Sequence, residues 1–311
     1  MRLFRTGIPF AFILILLALY SASEVRSRTV LDRSISKTTI IFEMVNPDDP
    51  IPGVYPPYFS WNAVDDPTFF SAAYFLGVRT QANDQLAYFA ELPMSFRGGT
   101  EAVLFYNWDP WNGGYEYYYG APVNEKEALG NILVGGEYDF PRSPAYLQLD
   151  VRLPTAKKRK SAALRQGWTA DFDRAEAFWA DFLTVSALFG LRNQFKSGLS
   201  LEAYWRVNYL SYVGEGELEK TPFIIDVGGS VGHGGRWARV KGGVSARFFN
   251  DAPVLNREEI VQFNFDTDFL AGRFRPGVHF HTALNDDYFN LTHVRFSFGL
   301  NFSVLLGRVY D

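Results

Sequence analysis

Residues 293–306 read His293-Val294-Arg295-Phe296-Ser297-Phe298-Gly299-Leu300-Asn301-Phe302-Ser303-Val304-Leu305-Leu306. Val294, Phe296, Phe298, Leu300, Phe302, Val304 and Leu306 fall on one parity, and His293, Arg295, Ser297, Gly299, Asn301 and Ser303 on the other. A period of two places alternate side chains on opposite faces of a strand, whereas a helix would scatter both sets around its circumference.

The same alternation recurs upstream. Leu199, Leu201, Ala203, Trp205 and Val207 oppose Ser200, Glu202, Tyr204, Arg206 and Asn208. Val240, Gly242, Val244, Ala246 and Phe248 oppose Arg239, Lys241, Gly243, Ser245 and Arg247, and Val261 to Phe269 and Leu147 to Leu153 repeat the pattern. Several runs exceed a dozen residues, long for strands of soluble sandwiches, whose mode is about five or six. Alternation alone does not separate a core-facing from a lipid-facing apolar side.

The connectors separate them. Short links at 272–276, 232–235, 192–197 and 141–144 alternate with longer polar ones at 285–289, 250–257, 214–221 and from Pro154 to Ala175. Short turns at one end and long loops at the other describe an all-β, antiparallel transmembrane barrel of the outer membrane. Counting back to Leu86 gives about twelve strands, within a range of about ten to fourteen. Arginine or lysine facing lipid at mid-depth costs about 2–4 kcal/mol, so the apolar parity must face hydrocarbon. Closure pairs every backbone N–H and C=O, which stabilises a chain that has no Cys and hence no disulfide.

Composition agrees. Among 311 residues, 17% are aromatic and 27 are Gly, which suits strands better than helices. A mean hydropathy of −0.09 with one apolar run excludes a polytopic helical membrane protein. A net charge of −4 gives no general attraction to nucleic acid, and no nucleic-acid partner is expected.

At the N-terminus, Arg2 and Arg5 precede an apolar stretch, Ile8 to Tyr20, and the small residues Ser21-Ala22-Ser23. Residues 1–23 therefore read as a secretory signal cleaved after Ser23, and the absence of Cys excludes a lipid anchor. Residues 24–84 are punctuated by proline and read as an irregular arm, periplasmic or contributing one extra strand. Residues 85–311 form the barrel.

The segments Gly130-Asn131-Ile132-Leu133-Val134-Gly135-Gly136-Glu137-Tyr138-Asp139-Phe140 and Leu147-Gln148-Leu149-Asp150-Val151-Arg152-Leu153-Pro154-Thr155 resemble a hairpin of the outer-membrane transporter-like family linked to phenol meta-pathway degradation. Asn131 stands where that family usually has Asp, and Ala156 where it has Gly. The resemblance implies a hydrophobic or aromatic cargo.

The inward parity supplies the candidate site. Glu202, Arg206, Asp226, Arg239, Lys241, Arg247, Asp266, Asp268, His279, His281, His293 and Arg295 are expected to line the lumen, as a field that selects solutes or as neutralising pairs that plug the barrel. His279 and His281 share a strand face, a spacing zinc tolerates, but a third ligand would have to come from another strand, and a solvated face outweighs that reading. No metal, cofactor or catalytic group is assigned. His281-Thr282 and His293 with Ser297 carry no signature of a membrane-barrel enzyme. The basic run Lys157 to Lys160 reads as a solvated loop, and the aromatics from Trp108 to Tyr119 as a girdle around a hairpin. Passive movement of a small solute is the leading function. A structural or adhesive barrel without a pore, and a soluble periplasmic β-sandwich, are the alternatives. Outer-membrane lipid and the barrel-insertion machinery are the expected partners, and the oligomeric state is left open.

Overall fold

The structure is a computed structural model. It describes residues 38–47, 72–96, 104–109, 114–119, 127–157, 161–214, 222–250, 259–270, 272–285 and 296–306. Its strands in chain order are β1 Thr38–Pro47, β2 Ala72–Gln81, β3 Leu86–Phe96, β4 Leu104–Asp109, β5 Gly114–Tyr119, β6 Glu127–Leu129, β7 Ile132–Asp139 and β8 Ala145–Leu153. Helix α1, Ser161–Ala170, and a 3-10 segment, Phe172–Phe178, follow. The chain then continues through β9 Phe182–Gln194, β10 Leu199–Tyr212, β11 Phe223–Gly234, β12 Ala238–Asn250, β13 Glu259–Phe269, β14 Phe274–Ala283 and β15 Phe296–Leu306.

The long strands pair antiparallel with their sequence neighbours from β7 to β15. β15 then pairs β1, β1 pairs β2, β2 pairs β3 and β3 pairs β7. That ring is closed and has twelve strands. Closure overturns the β-sandwich alternative, since a sandwich has two open sheets. The number agrees with the expectation, but the membership differs. β1 and β2 lie within residues 24–84, so two strands of the barrel wall, where at most one was expected, come from the stretch read as an irregular arm. β2 is the one extra strand allowed for in that stretch, whereas β1, which alternates poorly and runs into proline-punctuated text, was not foreseen. The aromatic segment from Leu104 to Tyr119 instead forms its own two-stranded sheet, β4 with β5.

The links 82–85, 140–144, 195–198, 235–237 and 270–273 all fall at the end where β1 begins and β15 finishes. The longer links, 48–71, 97–131, 154–181, 213–222, 251–258 and 284–295, fall at the other end. Gly198 closes one short turn at φ +85°, a conformation L side chains rarely adopt, and a Cβ there would also meet the Gly234 carbonyl at 2.5 Å.

The apolar parity faces outward. Trp205, Tyr209, Phe189, Val244, Phe265 and Phe298 are all exposed, while their chain neighbours Asn208, Ser245 and Ser297 are buried. A belt of large apolar side chains around a polar interior inverts the soluble arrangement and matches a hydrocarbon surround. The chain is an outer-membrane β-barrel.

Eight strands leave an interior just wide enough for their own side chains, so a ring of twelve leaves space. The link from β8 to β9 enters it. The sequence reading gave this link as a polar loop, but its described residues turn inward. Ala163, Leu164, Ala170, Phe172, Ala175, Ala177, Phe178 and Trp179 are all buried. One flank packs on Val45 and Phe75, and the other on Leu210, Ile224, Phe249 and Ile260. These wall residues sit near the long-loop ends of their strands, so the inserted segment occupies that half of the interior. Gly167 lets the Phe178 ring fold against α1, since a Cβ there would lie 2.4 Å from it.

Candidate functional site

The inserted segment is rooted where the sequence resemblance lies. Asn131 is fully buried, and its backbone N–H donates to the Ala177 carbonyl at 2.6 Å. Its side-chain amide donates to the Glu176 and Trp179 carbonyls at 3.1 and 2.7 Å, and its Oδ1 accepts from the Ala156 N–H at 3.0 Å. Thr155 Oγ1 donates to the Gly130 carbonyl at 2.6 Å and accepts from the Ile132 N–H at 3.0 Å. A Cβ on Gly130 would lie 2.5 Å from the Ala177 carbonyl oxygen, so the close approach needs glycine. An Asp at 131 would offer no N–H to the two carbonyls, which gives the Asn found there a physical reason.

Three arginines pin the segment to the wall. Arg174 reaches Glu43 at 2.7 Å, Glu91 at 3.3 Å and, through Nε, Asp171 at 2.7 Å, with its guanidinium 3.5 Å above the Phe75 ring. Arg152 reaches Glu91 at 3.1 Å and Glu176 at 3.9 Å. Arg247 donates to both oxygens of Asp226, to Glu176, and to the Phe172 and Asp173 carbonyls. Ser297 Oγ donates to the Ala170 carbonyl at 2.7 Å.

Between this segment and the short-turn end lies a cavity of about 370 Å³. Five carboxylates, Glu137, Asp171, Asp173, Glu202 and Asp226, and five cationic side chains, Arg174, Arg192, Arg206, Lys241 and Arg247, line it. Arg192 pairs with Glu137 and Asp139 and stacks 3.9 Å over the Tyr146 ring. Glu202 accepts from the Tyr146 hydroxyl at 2.9 Å and from Lys241 at 2.8 Å. The buried Nε of Arg206 has no hydrogen-bond partner among the described residues.

The remaining candidates separate by height in the barrel. Arg239 lines a smaller recess toward the short-turn end, and Asp266 and Asp268 stand in register with Lys241 and Arg239 on the next strand. His279 is buried with Nε2 3.3 Å from Glu43, and its ring centroid is 5.0 Å from that of His281. His281 Nδ1 lies 3.6 Å from Asp173. Burial pushes the Asp173 carboxyl above the ordinary carboxylate range, His281 opposes that shift and Asp171 adds to it. His293 and Arg295 lie outside the described residues, as do Lys158 to Lys160 and the signal segment 1–23. The sequence reading missed Glu43, Glu91, Asp171, Asp173, Arg174 and Glu176. The first sits on an unrecognised strand, and the last four in the link read as a loop. A signal was present: Ala, Phe and Trp crowd 170–180 too densely for a loop left in water.

No family model matches the chain, and no curated protein does. Among solved structures, an outer membrane channel from Pseudomonas putida F1 is similar over 88% of this chain and 96% of its own, at 9% identity and a TM-score of 0.50. The fold is shared. The NanC porin aligns over 86% of this chain and 100% of its own at 8% identity and a TM-score of 0.49. The Ralstonia pickettii toluene transporter TbuX aligns over 88% and 90% at 11% identity and a TM-score of 0.42. At such identities the likeness concerns architecture and leaves cargo to the chemistry of the interior.

Proposed function

We propose that this barrel is a passive channel for a small polar solute, gated by the inserted segment 161–178. The observation that carries this reading is the position of that segment. It enters from the long-loop end, blocks only part of the interior, and leaves a cavity lined by matched acidic and basic groups. A barrel with a purely mechanical role gains nothing from a charged cavity, because burying ion pairs is costly and replacing them by packed apolar groups is often neutral or better.

The lining favours a polar solute. A hydrophobic or aromatic cargo, which the resemblance at 130–155 implies, has less support. The high aromatic content that accompanied it is spent largely on the outer face, at Trp205, Tyr209, Phe189 and Phe298. Short turns face the periplasm in such barrels, so the segment would meet solute arriving from outside the cell.

Conductance of the purified barrel in planar bilayers tests this reading. The wild type should show small or intermittent conductance, and a variant lacking 161–178 a larger, steady one. Silence in both, with the folded barrel verified by its resistance to denaturation in detergent, would refute the channel.

A further inference from the structure

One oxygen of Asp171, one of Asp173 and one imidazole nitrogen of His281 lie within 4.8 Å of one another at the edge of the cavity. Two come from the inserted segment and one from strand β14 of the wall. Neither element has the set alone.

Two further observations bear on what this cluster holds. Asp171 is 1% exposed, and while its Oδ2 takes the Arg174 guanidinium, its Oδ1 is buried with no hydrogen-bond partner. A buried carboxylate oxygen left open in this way costs free energy unless a cation or donor meets it. The second is charge. Arg152, Arg174 and Arg247 serve a connected group of five carboxylates, Glu43, Glu91, Asp171, Glu176 and Asp226, and Asp173, paired with His281, stands beside Asp171 outside it. Even with Arg206 counted as well, four arginines face these six carboxylates among the described residues.

We propose that Asp171, Asp173 and His281 bind a divalent transition-metal cation of the zinc type, which latches the inserted segment to the barrel wall. Two carboxylate oxygens and one imidazole nitrogen form a mixed donor set that suits zinc and its neighbours better than the all-oxygen sites of calcium or magnesium. Three protein ligands leave a position open toward the cavity for water. Of the pair His279 and His281 only His281 joins this set, and both carboxylates come from the inserted link and not from another strand. A cation here would meet the open Asp171 oxygen and a carboxylate that no arginine bridges among the described residues. Binding at this site does not depend on whether the barrel conducts, whereas an effect on gating rests on the channel reading.

The test uses the full chain, purified in detergent and stripped with a chelator. Calorimetric titration with ZnCl₂ should show one saturable site. Asp171→Asn and His281→Ala should each weaken it tenfold or more, while His233→Ala, on the exposed face near a short turn, should leave it unchanged. Because variants can misfold, Co²⁺ added to the stripped wild type provides a second readout: a visible ligand-field band should appear and should be lost on adding Zn²⁺. No saturable Zn²⁺ uptake, no Co²⁺ band, or unchanged affinity in folded Asp171→Asn would each overturn the site. The latch is read by trypsin cleavage within 161–178, which saturating Zn²⁺ should slow at least severalfold in the wild type and not in His281→Ala. Equal cleavage with and without Zn²⁺ overturns the latch. A barrel that binds Zn²⁺ but never conducts refutes the channel alone.

Discussion

Asp226 and Arg247 stand opposite each other on neighbouring strands β11 and β12, and the guanidinium reaches both carboxylate oxygens, at 2.7 Å from Nε and 3.1 Å from Nη2. The same guanidinium holds Glu176 and two carbonyls of the inserted segment. The ladder register thus fixes where the segment can dock. Arg247→Ala leaves Asp226 and Glu176 buried without this partner, a loss of about 3–5 kcal/mol for breaking a buried pair. Urea unfolding in lipid should show that loss, and planar-bilayer recordings should show a higher open fraction than wild type.

Asn131→Asp tests the root of the segment. The substitution keeps an acceptor for the Ala156 N–H but turns two donated hydrogen bonds into carbonyl–carboxylate contacts. Each buried group left unsatisfied costs about 1–3 kcal/mol. Faster proteolysis between Ala156 and Trp179, with the barrel strands still intact, is the expected outcome. Cleavage at the wild-type rate would mean that Asn131 does not hold the segment.

The facing of β12 is checked by labelling. Val244 is 48% exposed and Ser245 7%. In this Cys-free chain, a fluorophore on Val244→Cys should be quenched by lipid-borne spin labels, and one on Ser245→Cys should not. Val244→Arg should cost about 2–4 kcal/mol if the site lies at mid-depth. Equal quenching at the two positions would contradict the lipid-facing assignment.

Gly299 lies beneath His279, its ladder partner, and a Cβ there would fall 1.8 Å from Nε2. Gly299→Ala must therefore expel the imidazole from its place beside Glu43. Overpacking of this kind costs about 1–3 kcal/mol. A lower unfolding midpoint, with an altered His279 imidazole resonance, is the expected outcome.

The barrel was legible because alternation writes itself into the sequence wherever one face meets hydrocarbon and the other meets water. Trp205 beside Arg206, and Val244 beside Ser245, carry that contrast without help from distant residues. β1 was harder to see. Thr38-Thr39-Ile40-Ile41-Phe42-Glu43 alternates poorly, because Ile41 and Thr39 share the inward parity with Glu43. The inserted segment shows only its density of Ala, Phe and Trp, and its placement is unreadable for a different reason. Its partners, Glu43, Arg247 and Ser297, are far away in the chain and become neighbours only through closure. Its apolar residues obey neither a period of two nor a clear amphipathic helix. The candidate site was therefore readable on the wall and unreadable on the segment that completes it.

The segment also spans a join. Strands β1 and β15 come from opposite ends of the chain, and their pairing turns an open sheet into a ring. Arg174 grips Glu43 on β1, and the Ala170 carbonyl takes the Ser297 hydroxyl on β15. Both grips lie within five residues of one another, so the insert works as a rivet across the seam. Its grips on β1 and β15 can form together only once the first and last strands have met. Once seated, it opposes the separation of the two strands whose parting would unzip the ring.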